Sequence, residues 1–273
     1  MQRETRVVLL TGNALRHRAV ASVLARSVNL VGILSEEKYS PLSSPAAAAG
    51  DDAAVIRQHL AERDDAERRL LGPDLRFPDT QTLSVPLASV NSPEVFEWVQ
   101  RLAPDAVALF GTGLVKPPLL DVYDGRMINL HLGLSPYYRG SGTNFWPLVN
   151  REPECVGATI HLAVRRVDAG AIYTQVRPEV ERGDRAHEIG TRTTVAGAAA
   201  LAAVLARQGA GNLAPHPQDL SLGRVYRRAD FTADAVRRLW RNLDTGMVDE
   251  YLADAPRRRE KYPIVAASHL VTA

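Results

Sequence analysis

Asn129 and His131 stand two apart in Met127-Ile-Asn129-Leu-His131-Leu-Gly-Leu-Ser135-Pro136-Tyr-Tyr-Arg139-Gly140. On a strand, such a pair projects from one face, and it stands where an apolar run gives way to a Gly/Pro loop. In open α/β sheets that carboxyl end is where ligands bind. Downstream, Asp168 sits in Arg166-Val-Asp168-Ala-Gly170-Ala-Ile172, in a loop between two apolar segments. A carboxylate that orients an imidazole makes an acid–base group, and an Asn amide beside it donates to a developing oxyanion. Taken alone, the His reads as a satisfied structural residue and the Asn as a turn former; Asp168 is what turns the reading toward catalysis.

The elements around these residues read as α/β. Arg6–Thr11 is a continuous apolar run of the kind found in a strand buried on both faces, and Gly12-Asn13 then opens a helix-like stretch to Arg26. Asn29–Leu34 completes a β-α-β unit. The rhythm lapses between Ser35 and Pro86, where a charged helical segment from Asp51 to Leu71 reads as inserted, lying on the surface over a cleft mouth with Val55, Ile56, His59, Leu60, Arg63 and Leu70 at helical spacing. A helix at Pro93–Leu102 follows, then strands at Asp105–Phe110 and Arg126–Leu130. A helix-forming stretch at Asn144–Val149, strands at Val156–Val164 and Ala171–Val180, and a helix at Asp184–Arg207 complete the pattern. The expected fold is a Rossmann-like, mostly parallel sheet with helices on both faces. Residues 1–207 form the main domain, with an insertion at about 36–84. Residues 208–273 form a small appendage, whose helix is capped by Thr232 and has an apolar side that must bury on the main domain or on a second subunit, as in a homodimer.

Composition bounds the function. The 273 residues carry 33 Lys+Arg against 31 Asp+Glu, and the region from His216 onward is near-neutral, so no basic footprint for nucleic acid is present. Only three of the 33 basic residues are lysines, a bias that fits codon usage as well as phosphate recognition. A single Cys155 excludes an intrachain disulfide. The most apolar stretch, Val195–Ala206, is shorter than a membrane span, and the chain reads as cytoplasmic with no membrane partner. No His/Cys/carboxylate cluster shows metal-ligand spacing, so no metal is expected.

Four ordered elements then carry a resemblance: Asn129-x-His131, the Tyr138-Arg139-Gly140 that follows Pro136, Gly157-Ala-Thr-Ile-His161, and Asp168-x-Gly170-x-Ile172. In these the chain resembles the folate-dependent formyltransferases, a family that includes glycinamide ribonucleotide, methionyl-tRNA and sugar-amine formyltransferases. The likeness runs from Thr5 to Val180. One departure is that Leu132-Gly133 stands where most relatives carry Pro-Ser or Ala-Ser, with Ser135 displaced by two. The resemblance implies attack of an acceptor amine on the formyl carbon of 10-formyltetrahydrofolate. Asn129 and a protonated His131 would hold the oxyanion, and Asp168 would keep His131 cationic or correctly oriented. It also implies a folate site at Phe110, Gly111, Thr112 and Gly113 and at Val164, Arg165 and Val167.

For the acceptor, Gly12 and Asn13 at a helix start offer an anion site, with Arg16, His17 and Arg18 either adding charge or facing solvent, and Arg139 is the further candidate. The expected acceptor is a small amine, foremost a nucleotide-linked amino sugar; an amino-acid-type or hydroxylamine metabolite, a 10-formyltetrahydrofolate hydrolase and a non-enzymatic folate- or nucleotide-binding module are the alternatives. His161 reads as a core or sheet-face residue, Phe145 and Trp146 as either ring stackers or helix anchors, and Arg257-Arg-Arg259 as a solvated end.

Overall fold

The computed structural model describes residues 4–37, 50–208 and 213–266. Its main sheet has seven strands. In chain order these are β1 (Arg6–Thr11), β2 (Asn29–Glu36), β3 (Thr82–Val85), β4 (Ala106–Phe110), β5 (Met127–His131), then β7 (Ala158–Leu162) and β8 (Ile172–Val176). Their spatial order is β3-β2-β1-β4-β5-β7-β8; the first five run parallel, and β7 and β8 are antiparallel additions. Two short strands, β6 (Tyr138–Gly140) and β9 (Arg224–Tyr226), pair separately.

Both faces of the sheet are covered, which is why its central strands read as unbroken apolar runs. Val7 and Leu9 pack on one side with α1 (Leu15–Ala25) and α6 (Ala186–Gln208). Val8 and Leu10 pack on the other with α3 (Pro93–Leu102) and the short α4 (Leu119–Val122). Each such fully buried aliphatic side chain contributes about 1.5–3 kcal/mol relative to exposure. Helix α3 starts where its cap dictates: Ser92 Oγ accepts from the Val95 amide at 3.3 Å, with Pro93 in the first turn. Among the described residues α6 alone has the length and apolarity of a membrane span, but its buried face belongs to the main core.

The charged segment forms α2 (Asp51–Leu71), which packs across α1 and α6. It buries Ala53, His59, Ala66 and Glu67, whereas Leu70 of the expected stripe is exposed. Within the segment expected to be inserted, Thr82–Val85 is an edge strand of the main sheet; short, with two exposed residues, it carries little pattern.

The C-terminal region is woven into the rest. Ile172 and His216 exchange two backbone hydrogen bonds of 2.7 Å, and β9 pairs with β6. Helix α7 (Ala233–Asp244) is capped by Thr232 Oγ1, as its sequence requires, and packs on α2 and α5 (Trp146–Val149). Its apolar side is buried: Ala235 and Leu239 belong to a third core cluster with Tyr138, Trp146 and Leu148, and Val236 is fully buried, so this chain itself covers the face that was open to a second subunit. A further helix, α8 (Met247–Glu260), follows. Arg258 is not a solvated end: its Nε donates to the buried Glu154 at 2.8 Å and its Nη2 to the Arg151 carbonyl at 2.6 Å.

Candidate active site

The switch from parallel to antiparallel pairing between β5 and β7 builds the site. Register places Asn129 opposite His161 and His131 opposite Thr159. Asn129 Nδ2 lies 3.1 Å from His161 Nε2 and donates to Asp168 Oδ1 at 3.5 Å. His161 Nδ1 faces its neighbour's carbonyl, Leu162 O, at 2.7 Å, and its Nε2 faces both Asn129 Nδ2 and, at 3.6 Å, Asp168 Oδ1. His161 is thus a buried residue of the sheet, as its segment suggests, and its ring also joins the polar cluster through the antiparallel register.

His131 is buried, and each of its ring nitrogens faces an oxygen: Nδ1 is 3.4 Å from Asp168 Oδ2 and Nε2 is 3.1 Å from the Tyr138 carbonyl. Only an imidazolium satisfies both. Burial nevertheless dominates, aided by neighbouring His161, and holds the His131 pKa below its ordinary value against the opposing pull of Asp168. The orienting role of Asp168 toward the His131 ring is what the geometry supports. Burial of Asp168 alone would raise its pKa, but His131, His161 and the Gly140 amide, which donates to Oδ2 at 2.9 Å, outweigh this and keep it an anion well below the usual carboxylate range.

Asp168 is held in an uncommon backbone state, with φ of 47°. Gln218 Nε2 braces that loop by donating to Asp168 O at 3.1 Å and Gly170 O at 2.5 Å. Gly170 is required by approach: a Cβ there would lie 1.8 Å from Leu162 O. Gly133 has the same explanation, since a Cβ would meet His131 Nε2 at 2.6 Å and the Thr143 side chain at 2.7 Å. The loop after β5 is pinned beneath by a buried network in which Thr159 Oγ1 donates to Gly133 O and Gln175 Nε2 donates to Ser135 O. Ser135 itself is fully buried, with its hydroxyl unpartnered.

The cluster forms the floor of a cleft of about 840 Å³. One wall is the loop after β4, with Phe110 through Val115, together with Val164 and Val167. Glu36, absent from the sequence reading, holds that loop: its carboxylate accepts from the Gly113 amide at 2.9 Å and the Val90 amide at 3.1 Å. The opposite wall combines α2 (His59, Leu60, Arg63), the start of α6 (His187, Gly190, Thr191), and Phe145, Tyr226 and Phe231.

Several expected residues lie elsewhere. Gly12 and Asn13 do not line the cleft, whereas Arg16 and His17, one turn on, do; Arg16 Nη1 is paired with Glu67 at 2.5 Å, and Arg18 Nη1 donates to Leu75 O at 3.1 Å. His17 Nδ1 instead caps the start of α1 by accepting from the Ala14 amide at 3.0 Å. Arg165 points to solvent and pairs with Asp121 at 3.1 Å. Arg139 is buried outside the cleft lining and donates to Leu220 O at 3.3 Å, so it serves the C-terminal segment and not a ligand in the cleft. Trp146 is an anchor, stacked on Tyr226 at 4.4 Å, while Phe145 lines the cleft.

Comparison with known proteins agrees with this geometry. Residues 18–205 match the family model described as formyl transferase. The methionyl-tRNA formyltransferase of Synechococcus sp. (strain JA-3-3Ab) is 32% identical over 148 residues, 53% of this chain and 46% of that protein. That of Geobacillus thermodenitrificans (strain NG80-2) is 30% identical over 157 residues, 56% of this chain and 49% of that protein. The chain therefore spans about half the length of the curated relatives it matches. In fold it is similar to the phosphoribosylglycinamide formyltransferase of Anaplasma phagocytophilum, with a TM-score of 0.55 and 16% identity over 83% of this chain and 100% of that one. It is also similar to a sugar N-formyltransferase from Shewanella sp. FDAARGOS_354, with a TM-score of 0.53 and 19% identity over 83% of this chain and 78% of that one. With more than half of its residues inside the family match and the polar cluster assembled at the sheet's carboxyl edge, the chain belongs to the formyl transferase family.

Proposed function

We propose that the cleft binds 10-formyltetrahydrofolate beside a small acceptor amine, and that Asn129, His131 and Asp168 carry the formyl group from one to the other. The observation that supports this best is the convergence of the three side chains on one cleft floor, each fixed by a partner of its own. The donor suits the loop wall: Gly111–Gly113 offers backbone to the edge of a flat pterin, and the exposed apolar side chains of Leu114, Val164 and Val167 offer area for it to cover. Bound there, the donor supplies an electrophilic formyl carbon and a leaving nitrogen.

Neutral His131 takes the proton that the attacking amine must lose and, as the intermediate collapses and the bond from the formyl carbon to the folate nitrogen breaks, returns it to that departing nitrogen. The imidazolium so formed satisfies both the Asp168 carboxylate and the Tyr138 carbonyl, so the site binds this charge more tightly in the transition state than at rest. Asn129 exchanges its bond to His161 for one to the developing oxyanion, a contribution of about 2.7–4 kcal/mol for a donor of this kind. Asp168 stays an anion throughout and orients the imidazole.

For the acceptor, a nucleotide-linked amino sugar is the reading favoured, because the aromatic side chains of Phe145 and Phe231 lie on the same wall as Arg63 and Arg228. An amino-acid-type or hydroxylamine amine would use the same floor. A cytoplasmic location accords with a folate donor. The test is incubation with 10-formyltetrahydrofolate and a panel of nucleotide-linked amino sugars, amino acids, hydroxylamines and methionyl-tRNA, followed by mass. A formyl gain on a small amine supports the proposal, and gain on methionyl-tRNA alone overturns the small acceptor. Free formate without an acylated acceptor makes the enzyme a hydrolase, and bound but unconsumed folate makes the chain a binding module.

A further inference from the structure

The wall that α2 presents holds a group for which formyl transfer has no use. His59 and Glu62 are three apart, hence neighbours on one helix face, and His187 faces them from α6. The two imidazole rings are 4.4 Å apart between centroids, and one ligand atom from each of the three residues lies within 4.8 Å of the other two. His59 is only 5% exposed, yet its Nδ1 has no hydrogen-bond partner; His187 Nε2 is likewise buried and unpartnered. Leaving a buried polar atom unsatisfied costs about 1–3 kcal/mol, so two of them on adjoining rings call for a common partner.

We propose that His59, Glu62 and His187 form a binding site for a divalent transition metal of the zinc class, set in the cleft wall. Two imidazoles and one carboxylate make the borderline donor set that Zn²⁺ takes, whereas Mg²⁺ and Ca²⁺ favour oxygen alone. Tetrahedral bonds of about 2.0–2.2 Å bring ligand atoms to about 3.3–3.6 Å from one another, within reach of side-chain rotation from the present spacing. Outer contacts already orient the ligands: Gln58 Nε2 donates to Glu62 Oε1 at 2.9 Å, and the backbone of His59 hydrogen-bonds the His187 ring. Arg63 is the opposing cation, and its guanidinium is drawn to Asp64 at 3.0 Å. His59 and His187 both line the cleft, so a position left open on the metal would face the space beside the floor.

The test uses the full chain stripped with chelator, titrated with Zn²⁺ against a chromogenic competitor and separately with Co²⁺ read by visible absorption. One metal per chain is expected, with the intense d–d bands of tetrahedral Co²⁺. Glu62→Gln should weaken Zn²⁺ at least tenfold and His187→Asn should abolish stoichiometric uptake. Glu62 is only half-buried, so its variant keeps the test decisive even if a histidine variant misfolds. Sub-stoichiometric uptake by the wild-type chain, or uptake in both folded variants unchanged from wild type, overturns the site. Metal is read here without turnover, so failure of the formyl-transfer reading leaves the result untouched.

Discussion

Replacing Asp168 by Asn changes charge while nearly preserving shape, and its cost follows from the geometry. At 3.4 Å from His131 Nδ1, and with an effective dielectric of about 20, a carboxylate stabilises an imidazolium by about 5 kcal/mol. An amide oxygen left in the same place recovers about 1 kcal/mol as a neutral hydrogen-bond acceptor. The remaining loss of about 4 kcal/mol corresponds to roughly a thousandfold in kcat. The fold should survive, because the amide oxygen can still accept from the Gly140 amide, and only the long 3.5 Å bond from Asn129 Nδ2 to Oδ1 is lost. The donor's KM should move little, since the carboxylate acts on a charge absent from the ground state. The pH profile sharpens the test: the acid limb of kcat reports protonation of neutral His131, and loss of the anion that raises this pKa must shift the limb to lower pH. Steady-state release of tetrahydrofolate, measured across pH in the variant and the wild-type protein, reads both quantities. A folded Asp168→Asn protein that keeps more than a tenth of the wild-type kcat, or whose acid limb moves upward, would refute the reasoning.

Other expectations follow from single contacts. Gln218→Ala removes both bonds to the Asp168 loop and should lower kcat by about five- to thirtyfold, through about 1–2 kcal/mol of lost bracing, with the circular dichroism unchanged; unaltered kcat would mean the loop holds itself. Glu36→Gln deprives the Gly113 and Val90 amides of a charged acceptor, so the donor's KM should rise more than kcat falls; an effect on kcat alone would dissociate that loop from folate. Gly133→Ser should cost more than tenfold in kcat, because its Cβ falls on His131 Nε2; a fully active variant would show that this loop yields freely. For the metal-free protein, His59 and His187 have folded-state pKa values below the unfolded value of about 6.5, so unfolding takes up protons as the pH falls through it. Stability should therefore drop by about 1–3 kcal/mol between pH 7.5 and 5.5 in denaturant titrations; constant stability would contradict their burial as neutral rings.

The strands of the central sheet were legible because burial on both faces leaves an uninterrupted apolar run, and α3 and α7 because Ser92 and Thr232 announce their starts. Asn129, His131 and Asp168 were legible from type and spacing. His161 was not, because its role comes from an antiparallel register that only the folded sheet sets. Glu36 and Gln218 act at long range through backbone groups, which carry no sequence signal. The anion site expected at Gly12 and Asn13 illustrates the opposite error: a helix start was recognisable, but the cleft opens one turn further on, at Arg16 and His17. Arg139 was read as a ligand for its charge and is instead an internal tie to the C-terminal segment. The spacing of His59 and Glu62 was visible on α2, yet nothing in the chain linked it to His187 before the two helices packed.

The central claim, that this cluster transfers a formyl group, is tested most directly by one single-turnover experiment. The folate donor carries an isotopic label in its formyl group, and the protein is mixed with it and the best acceptor from the panel. The account predicts that label enters the acceptor in equal amount to the tetrahydrofolate released, and that His131→Ala, with its fold intact, releases neither at a measurable rate. Label recovered as formate, or transfer by His131→Ala at the wild-type rate, would contradict it.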